Sequence, residues 1–189
     1  MIAIEKIEED VKKTLSEFRY NHSLMVANEA KNLAKHYNYD EEKAYLTGMT
    51  HDIAKEFTDK ENQKIIEKYH LSQSLRDEKL KEIIHADIGA IVAKERYNVD
   101  EEISNAIKFH TIGNINMSLL DKIIFVADKI AREKKSPMIE EASKVAYQDL
   151  DRAVLIILES QKQKLENKGK YMHKESEKLM MKLKNNVII

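Results

Sequence analysis

Gly48-Met49-Thr50-His51-Asp52-Ile53-Ala54-Lys55 is the stretch on which the reading of this chain turns. Asp40-Glu41-Glu42 ahead of it supplies an N-cap and an acidic first turn. The helix opened there carries Ala44, Gly48, His51, Asp52 and Lys55 on one stripe, so a His-Asp pair is expected mid-helix on an inward face. Buried histidine and aspartate are costly unless paired or bound to a metal. The dipeptide alone says little: with 7 histidines and 11 aspartates in 189 residues, about 0.4 such pairs arise by chance. Its inward placement is what asks for a reason.

Four other residues suit the same reason. His22 begins an apolar face that continues through Val26, Ala30, Leu33 and Tyr37. His85 opens a short helix whose face runs through Ile88, Gly89 and Val92. His110 ends a helix that Asp100-Glu101-Glu102 starts and that carries Ile103 and Ile107. Asp128 stands in the otherwise apolar run Ile123-Ile124-Phe125-Val126-Ala127, where a solvated aspartate is hard to explain. Four histidines and two aspartates converging suit two divalent ions, with one carboxylate free to bridge them.

The rest of the chain is helical in pattern. Hydrophobic residues make up 42% and charged residues 34%, with 4 Gly and 1 Pro, a balance that favours helices over strands. Thr58 and Glu61 form a capping-box pattern. Leu120, Ile124, Ala127 and Ala131 line a further helix. Ser136-Pro137 opens a long one expected to run through Val145, Leu150 and Ile157 towards Gly169, and residues 173–184 form a last amphipathic stretch. One all-α domain of about eight to ten helices over residues 1–189 is the simplest account. His36 and His70 read as surface residues, His173 as part of a polar tail, and Met180 and Met181 as core filler.

Net charge is −1, which gives no electrostatic case for a nucleic-acid partner. There is no Cys, hence no disulfide and no thiolate ligand, in keeping with a cytoplasmic setting. The first residues meet charge too soon for a signal peptide, and no apolar run approaches a membrane span.

The order His22…His51-Asp52…His85…His110…Asp128 resembles the HD superfamily in its two-metal form. More narrowly it resembles the YqeK family of HD-type symmetrical bis(5'-nucleosyl)-tetraphosphatases. The stretches that carry the likeness are Arg19-Tyr20-Asn21-His22-Ser23, Leu46 to Lys55, His85-Ala86-Asp87-Ile88-Gly89-Ala90, Ala106 to Gly113 and Val126-Ala127-Asp128-Lys129-Ile130. The resemblance implies an HD-type helical bundle with a metal-binding core at about 19–132 and C-terminal helices at about 137–185 packed on it. It implies that His22, His51, Asp52 and Asp128 hold one metal, and that His85, His110 and a bridging Asp52 hold the second. The donors are all N and O, and the resemblance to two-metal HD sites implies iron, or manganese, in preference to zinc; ligand type alone does not settle it.

By the same resemblance the substrate is diadenosine tetraphosphate, cut symmetrically to two nucleoside diphosphates, with Asp52 and Lys55 as the catalytic residues. Lys55, Thr111, Gly113 and Arg132 are the expected phosphate contacts, and a homodimer is left open. The competing readings are a phosphohydrolase or phosphodiesterase for another nucleotide, and a metal-bound nucleotide sensor without turnover. The chain departs from the family pattern after Ala127-Asp128. The family continues with an acidic residue, Pro and a basic residue, where this chain has Lys129-Ile130-Ala131-Arg132-Glu133.

Overall fold

The computed structural model describes residues 3–71 and 83–187. They form ten helices and no strand: α1 (Ile4–Thr14), α2 (Glu17–His36), α3 (Glu41–Thr50), α4 (Asp59–Lys68), α5 (Ile84–Tyr97), α6 (Glu101–Phe109), α7 (Leu119–Ile130), α8 (Pro137–Val145), α9 (Leu150–Glu166) and α10 (Lys174–Val187). None of the described helices is long and apolar enough to cross a membrane.

The caps follow from local chemistry. Asp40, Asp100 and Asp149 each accept a hydrogen bond from the backbone N–H three residues on, at 2.9, 2.9 and 3.0 Å. Thr58 with Glu61, and Ser118 with Asp121, form complete capping boxes. At the other end of α2, Asn38 takes a left-handed φ of 53°, and the N–H of Tyr39 donates to Ala34 O at 2.8 Å. That closes the helix in one turn and returns the chain as α3.

Helix α7 is the central strut. Leu120, Ile123, Ile124, Phe125, Val126 and Ala127 are fully buried, and α2, α3, α6, α8 and α9 all pack on it. Lys122 and Lys129 keep partial exposure on this helix, while Asp128 near its end falls among the buried positions and is carried into the interior. Against this strut lies the α2/α3 hairpin. Its two helices meet at Gly48, where a Cβ would fall 2.7 Å from Ala27 Cα and 2.9 Å from Ala27 N. Only a residue without a side chain allows that approach, and the approach sets how far the end of α3 stands from His22.

Two expectations are corrected here. The long helix after Pro137 is two helices, α8 and α9. Asp149 caps a new start at Leu150, and the N–H groups of Gln148 and Asp149 both turn back to Val145 O. The break is pinned to α2, because Tyr37 donates to Ala146 O at 2.7 Å and Tyr147 to Glu29 at 3.0 Å. Met181 is 64% exposed rather than core, while Met180 beside it is buried. Leu179 and Met180 both lie on the buried face of α10, and the next residue, about 100° further round, falls on the solvent side.

Candidate metal centre

His51 and Asp52 do not lie mid-helix. α3 ends at Thr50, and the chain continues in tight turns with Ile53 N–H bonded to Thr50 O and Lys55 N–H to Asp52 O. This is a gain for the site. In a regular α-helix, neighbours point roughly 100° apart, whereas the irregular backbone here lets both side chains reach one cluster. His110 is placed in the same way, one residue past the end of α6.

The two histidines share a further device. Carbonyls of the last helical turn lack intrahelical partners. Gly48 O and Ile107 O lie 2.6 Å from Nδ1 of His51 and His110 respectively. A carbonyl only accepts, so each Nδ1 carries the proton and each Nε2 presents a lone pair to the interior.

The six expected donors meet in one place, and none is more than 8% exposed. His22 Nε2 lies 3.1 Å from Asp128 Oδ1. Asp52 faces two ways. Its Oδ2 is 3.5 Å from His51 Nε2 and 3.9 Å from His22 Nε2, while its Oδ1 is 3.3 Å from His85 Nε2 and 3.6 Å from His110 Nε2. Two groups have donor atoms all within 4.8 Å of one another: His22, His51 and Asp128, and His51, Asp52 and His110. They share His51, where the resemblance makes Asp52 the shared residue.

Nε2 of His51 is buried and has no hydrogen-bond partner. An orphaned lone pair among carboxylates, with N and O donors all round, is what a divalent cation of the first transition row satisfies. The residues present therefore fit such an ion.

Electrostatics agree. Burial resists charge on His51, but Asp52 and Asp128 beside it outweigh that and push its pKa up. Burial also opposes ionised Asp52 and Asp128. The neighbouring imidazoles, His51 foremost, overcome this for Asp52; Lys129 and the His22 contact do so for Asp128. Both carboxyls end well below the usual range. Burial holds His85 down to about 4 and lowers His110, so both are neutral at pH 7, the form that binds metals.

Four cations surround the two carboxylates. Lys55 Nζ lies 3.1 Å from both ring nitrogens of His85, and burial lowers its pKa. Arg132 donates from Nε to Asp128 O at 3.1 Å, with Nη2 3.5 Å from Asp128 Oδ1. The other two were not among the expected site residues. Arg19 donates to Asp52 Oδ2 at 2.9 Å, and Lys129 donates to Asp128 Oδ2. Arg19 precedes His22 by one helical turn on the same face, and that spacing was the available signal.

Thr111 Oγ1 is 3.1 Å from His110 Nε2 and 3.5 Å from His85 Nε2. Gly113, expected to approach a phosphate, is buried with φ 71°, and a Cβ there would meet Leu179 Cδ2 at 2.6 Å. It serves the turn after α6 and the seat of α10. Gly113→Ala is expected to cost about 1 kcal/mol or more, lowering the thermal midpoint by about 2–4 °C in a calorimetric scan.

Known proteins provide the comparison. A family model described as HD domain matches residues 19–133. The symmetrical bis(5'-nucleosyl)-tetraphosphatase of Halalkalibacterium halodurans is 40% identical over 146 residues, 77% of this chain and 78% of that protein. The protein of the same name from Bacillus subtilis is 37% identical, with the same shares covered. A crystal structure from Clostridium acetobutylicum, of an HD superfamily hydrolase described as involved in NAD metabolism, superposes with a TM-score of 0.89. It is 33% identical, and the match covers 98% of this chain and 99% of that one.

Proposed function

The chain belongs to the HD domain family, and from that premise we propose that it is a metal-dependent hydrolase that splits diadenosine tetraphosphate symmetrically into two ADP. The name shared by its relatives supports the substrate. The observation that carries the chemistry is the buried cluster of six N and O donors, with four cationic side chains around its two carboxylates.

His22, His51, Asp128 and Oδ2 of Asp52 would hold one divalent ion; His85, His110 and Oδ1 of Asp52 would hold the other. Bound there, such ions supply an acidified water and neutralise charge on phosphoryl oxygens. The all-N and O donor set suits a borderline divalent ion, and the resemblance to two-metal HD sites points to iron or manganese.

The chain's own residues do the remaining work. Arg19 orients Asp52 by its hydrogen bond, and Lys129 keeps Asp128 ionised. The main-chain carbonyls of Gly48 and Ile107 fix the tautomers of His51 and His110. Lys55, Thr111 and Arg132 stand beside the cluster and would engage the tetraphosphate, their charge and hydroxyl drawing electron density from the diphosphate that leaves. The balance is one water consumed: its oxygen joins one central phosphorus, the bond from that phosphorus to the central bridging oxygen breaks, and the bridging oxygen leaves on the second ADP, whose charge the released proton balances.

Product analysis tests the reading. Diadenosine tetraphosphate should give ADP alone, in two equivalents, and chelation should stop the reaction until metal is restored. Turnover of a mononucleotide with the dinucleotide untouched would favour another phosphohydrolase. Full metal occupancy without any turnover would favour a sensor. Lys55→Ala is expected to keep the bound metal, read by elemental analysis, while slowing turnover by about 10²-fold. Metal loss in that variant would give Lys55 a structural role instead.

A further inference from the structure

Beside the metal cluster lies a cavity of about 440 Å³, lined by Ala54, Lys55, Phe57, Asp59, Asn62, Ile84 and His85. Its size is that of a small-molecule site and suits a nucleoside. Lys55 and His85 are shared with the cluster; the rest of the lining is apolar or neutral apart from Asp59. A cavity so divided suits a ligand charged at one end and flat and apolar at the other.

Two of its residues have the chemistry for the flat end. Phe57 presents an aromatic ring, steadied by the Arg96 guanidinium 5.9 Å from its centroid. Base–aromatic stacking is favourable and indifferent to which base is present. Asn62 stands in the first turn of α4, which the Thr58–Glu61 capping box fixes. Its Oδ1 is buried and has no hydrogen-bond partner. A buried acceptor without a donor is uncommon. No hydrogen bond among the described residues ties that oxygen, so a ligand that brings a donor to the amide would satisfy it.

We propose that this cavity seats one nucleobase of the substrate, with Phe57 against the ring and Asn62 selecting adenine. A carboxamide donates and accepts from one edge. On its N7 edge adenine offers the complement, the N6 amine beside the N7 acceptor, whereas guanine places O6 beside N7 there. Asn62 therefore makes two hydrogen bonds to adenine and one to guanine. The assignment rests on the nucleotide-hydrolase reading for its ligand class, and it adds the base preference and the residue responsible.

The test is calorimetric titration of ADP and of GDP into the manganese-loaded protein, with diadenosine tetraphosphate turnover measured separately. The wild-type chain should bind ADP about tenfold more tightly than GDP, the worth of one hydrogen bond to a desolvated partner. Asn62→Ala should bring the two affinities together by weakening ADP. Asn62→Gln, which keeps the amide but shifts it by one methylene, should do the same and guards against misfolding of the alanine variant. Phe57→Leu should weaken both nucleotides by a similar factor. No ADP preference in the wild type, a preference retained in both Asn62 variants, or unaltered affinity in Phe57→Leu would overturn the assignment. ADP preference lost in the Asn62 variants, from a wild-type protein that leaves the dinucleotide uncut, would uphold the base site and sink the hydrolase reading.

Discussion

Asp52→Ala is expected to release both metals and to lower diadenosine tetraphosphate turnover by more than about 10³-fold, beyond the loss of a single transition-state hydrogen bond. The reason is that Asp52 uses both of its oxygens, one towards His22 and His51 and the other towards His85 and His110. No neighbouring side chain can take both places. The substitution also strips Arg19 of its carboxylate partner and leaves positive groups facing one another in the interior. Removing one partner of a buried ion pair costs about 3–5 kcal/mol, so the metal-free variant should also unfold at lower temperature. Elemental analysis and a calorimetric scan on the same sample separate the two effects. If the variant keeps both metals and its rate, the ligand assignment is wrong.

Gly48→Ala is the second large expectation, and it acts without touching the cluster. The added methyl would sit 2.7 Å from Ala27 Cα and 3.1 Å from Val26 C. These are main-chain atoms, so no rotamer change relieves the clash and the α2/α3 hairpin must open. Overpacking of this kind costs about 1–3 kcal/mol, against about 1 kcal/mol gained in helix propensity. Because no flexible group yields, the upper part of that range is expected, a net fall of about 4–8 °C in the thermal midpoint. Gly89→Ala is the control: its methyl meets only Ile107 Cγ2 at 3.4 Å and Ile53 Cγ2 at 3.7 Å, with His51 O at 3.6 Å, and its scan should stay within about 2 °C of wild type. Opening the hairpin also moves His22 away from His51, so metal affinity should fall with stability in Gly48→Ala. Unchanged stability there would mean that the helix approach is not as tight as described.

What sequence alone conveys here divides by range. Caps at Asp40, Thr58 and Asp100 involve a neighbour three residues on, Ser136-Pro137 rests on proline at the first helical position, and all four mark helix starts in the structure. The six clustered donors were legible because polar residues on apolar stripes are anomalies that a periodic pattern exposes. Other features were not. Periodicity carried the reading of the helix from Pro137 past Val145, because Leu150 and Ile157 keep the phase, while the break depends on tyrosines bonded to or from α2 across more than a hundred residues. The same holds for Arg19, which finds Asp52 33 residues away. For Gly113 the sequence suggests a phosphate contact or a helix C-cap, and the packing against Leu179 is a further reason for glycine that only the fold reveals.

The Nδ1 bonds of His51 and His110 to Gly48 O and Ile107 O have a consequence for how this centre tolerates change. Metal-site histidines are oriented by a carboxylate, a backbone carbonyl or a water, and a point substitution can delete the first of these. Here the orienting groups are main-chain carbonyls that every amino acid possesses. Substitutions along α3 and α6 can weaken the helices but cannot remove the acceptors. What the centre demands instead is chain length: each helix must stop one residue before its histidine. Insertion or deletion of a single residue near the end of α3 or α6 would therefore be far more damaging than most replacements in the same turn. The specification of these two imidazoles is written in residue count more than in residue identity.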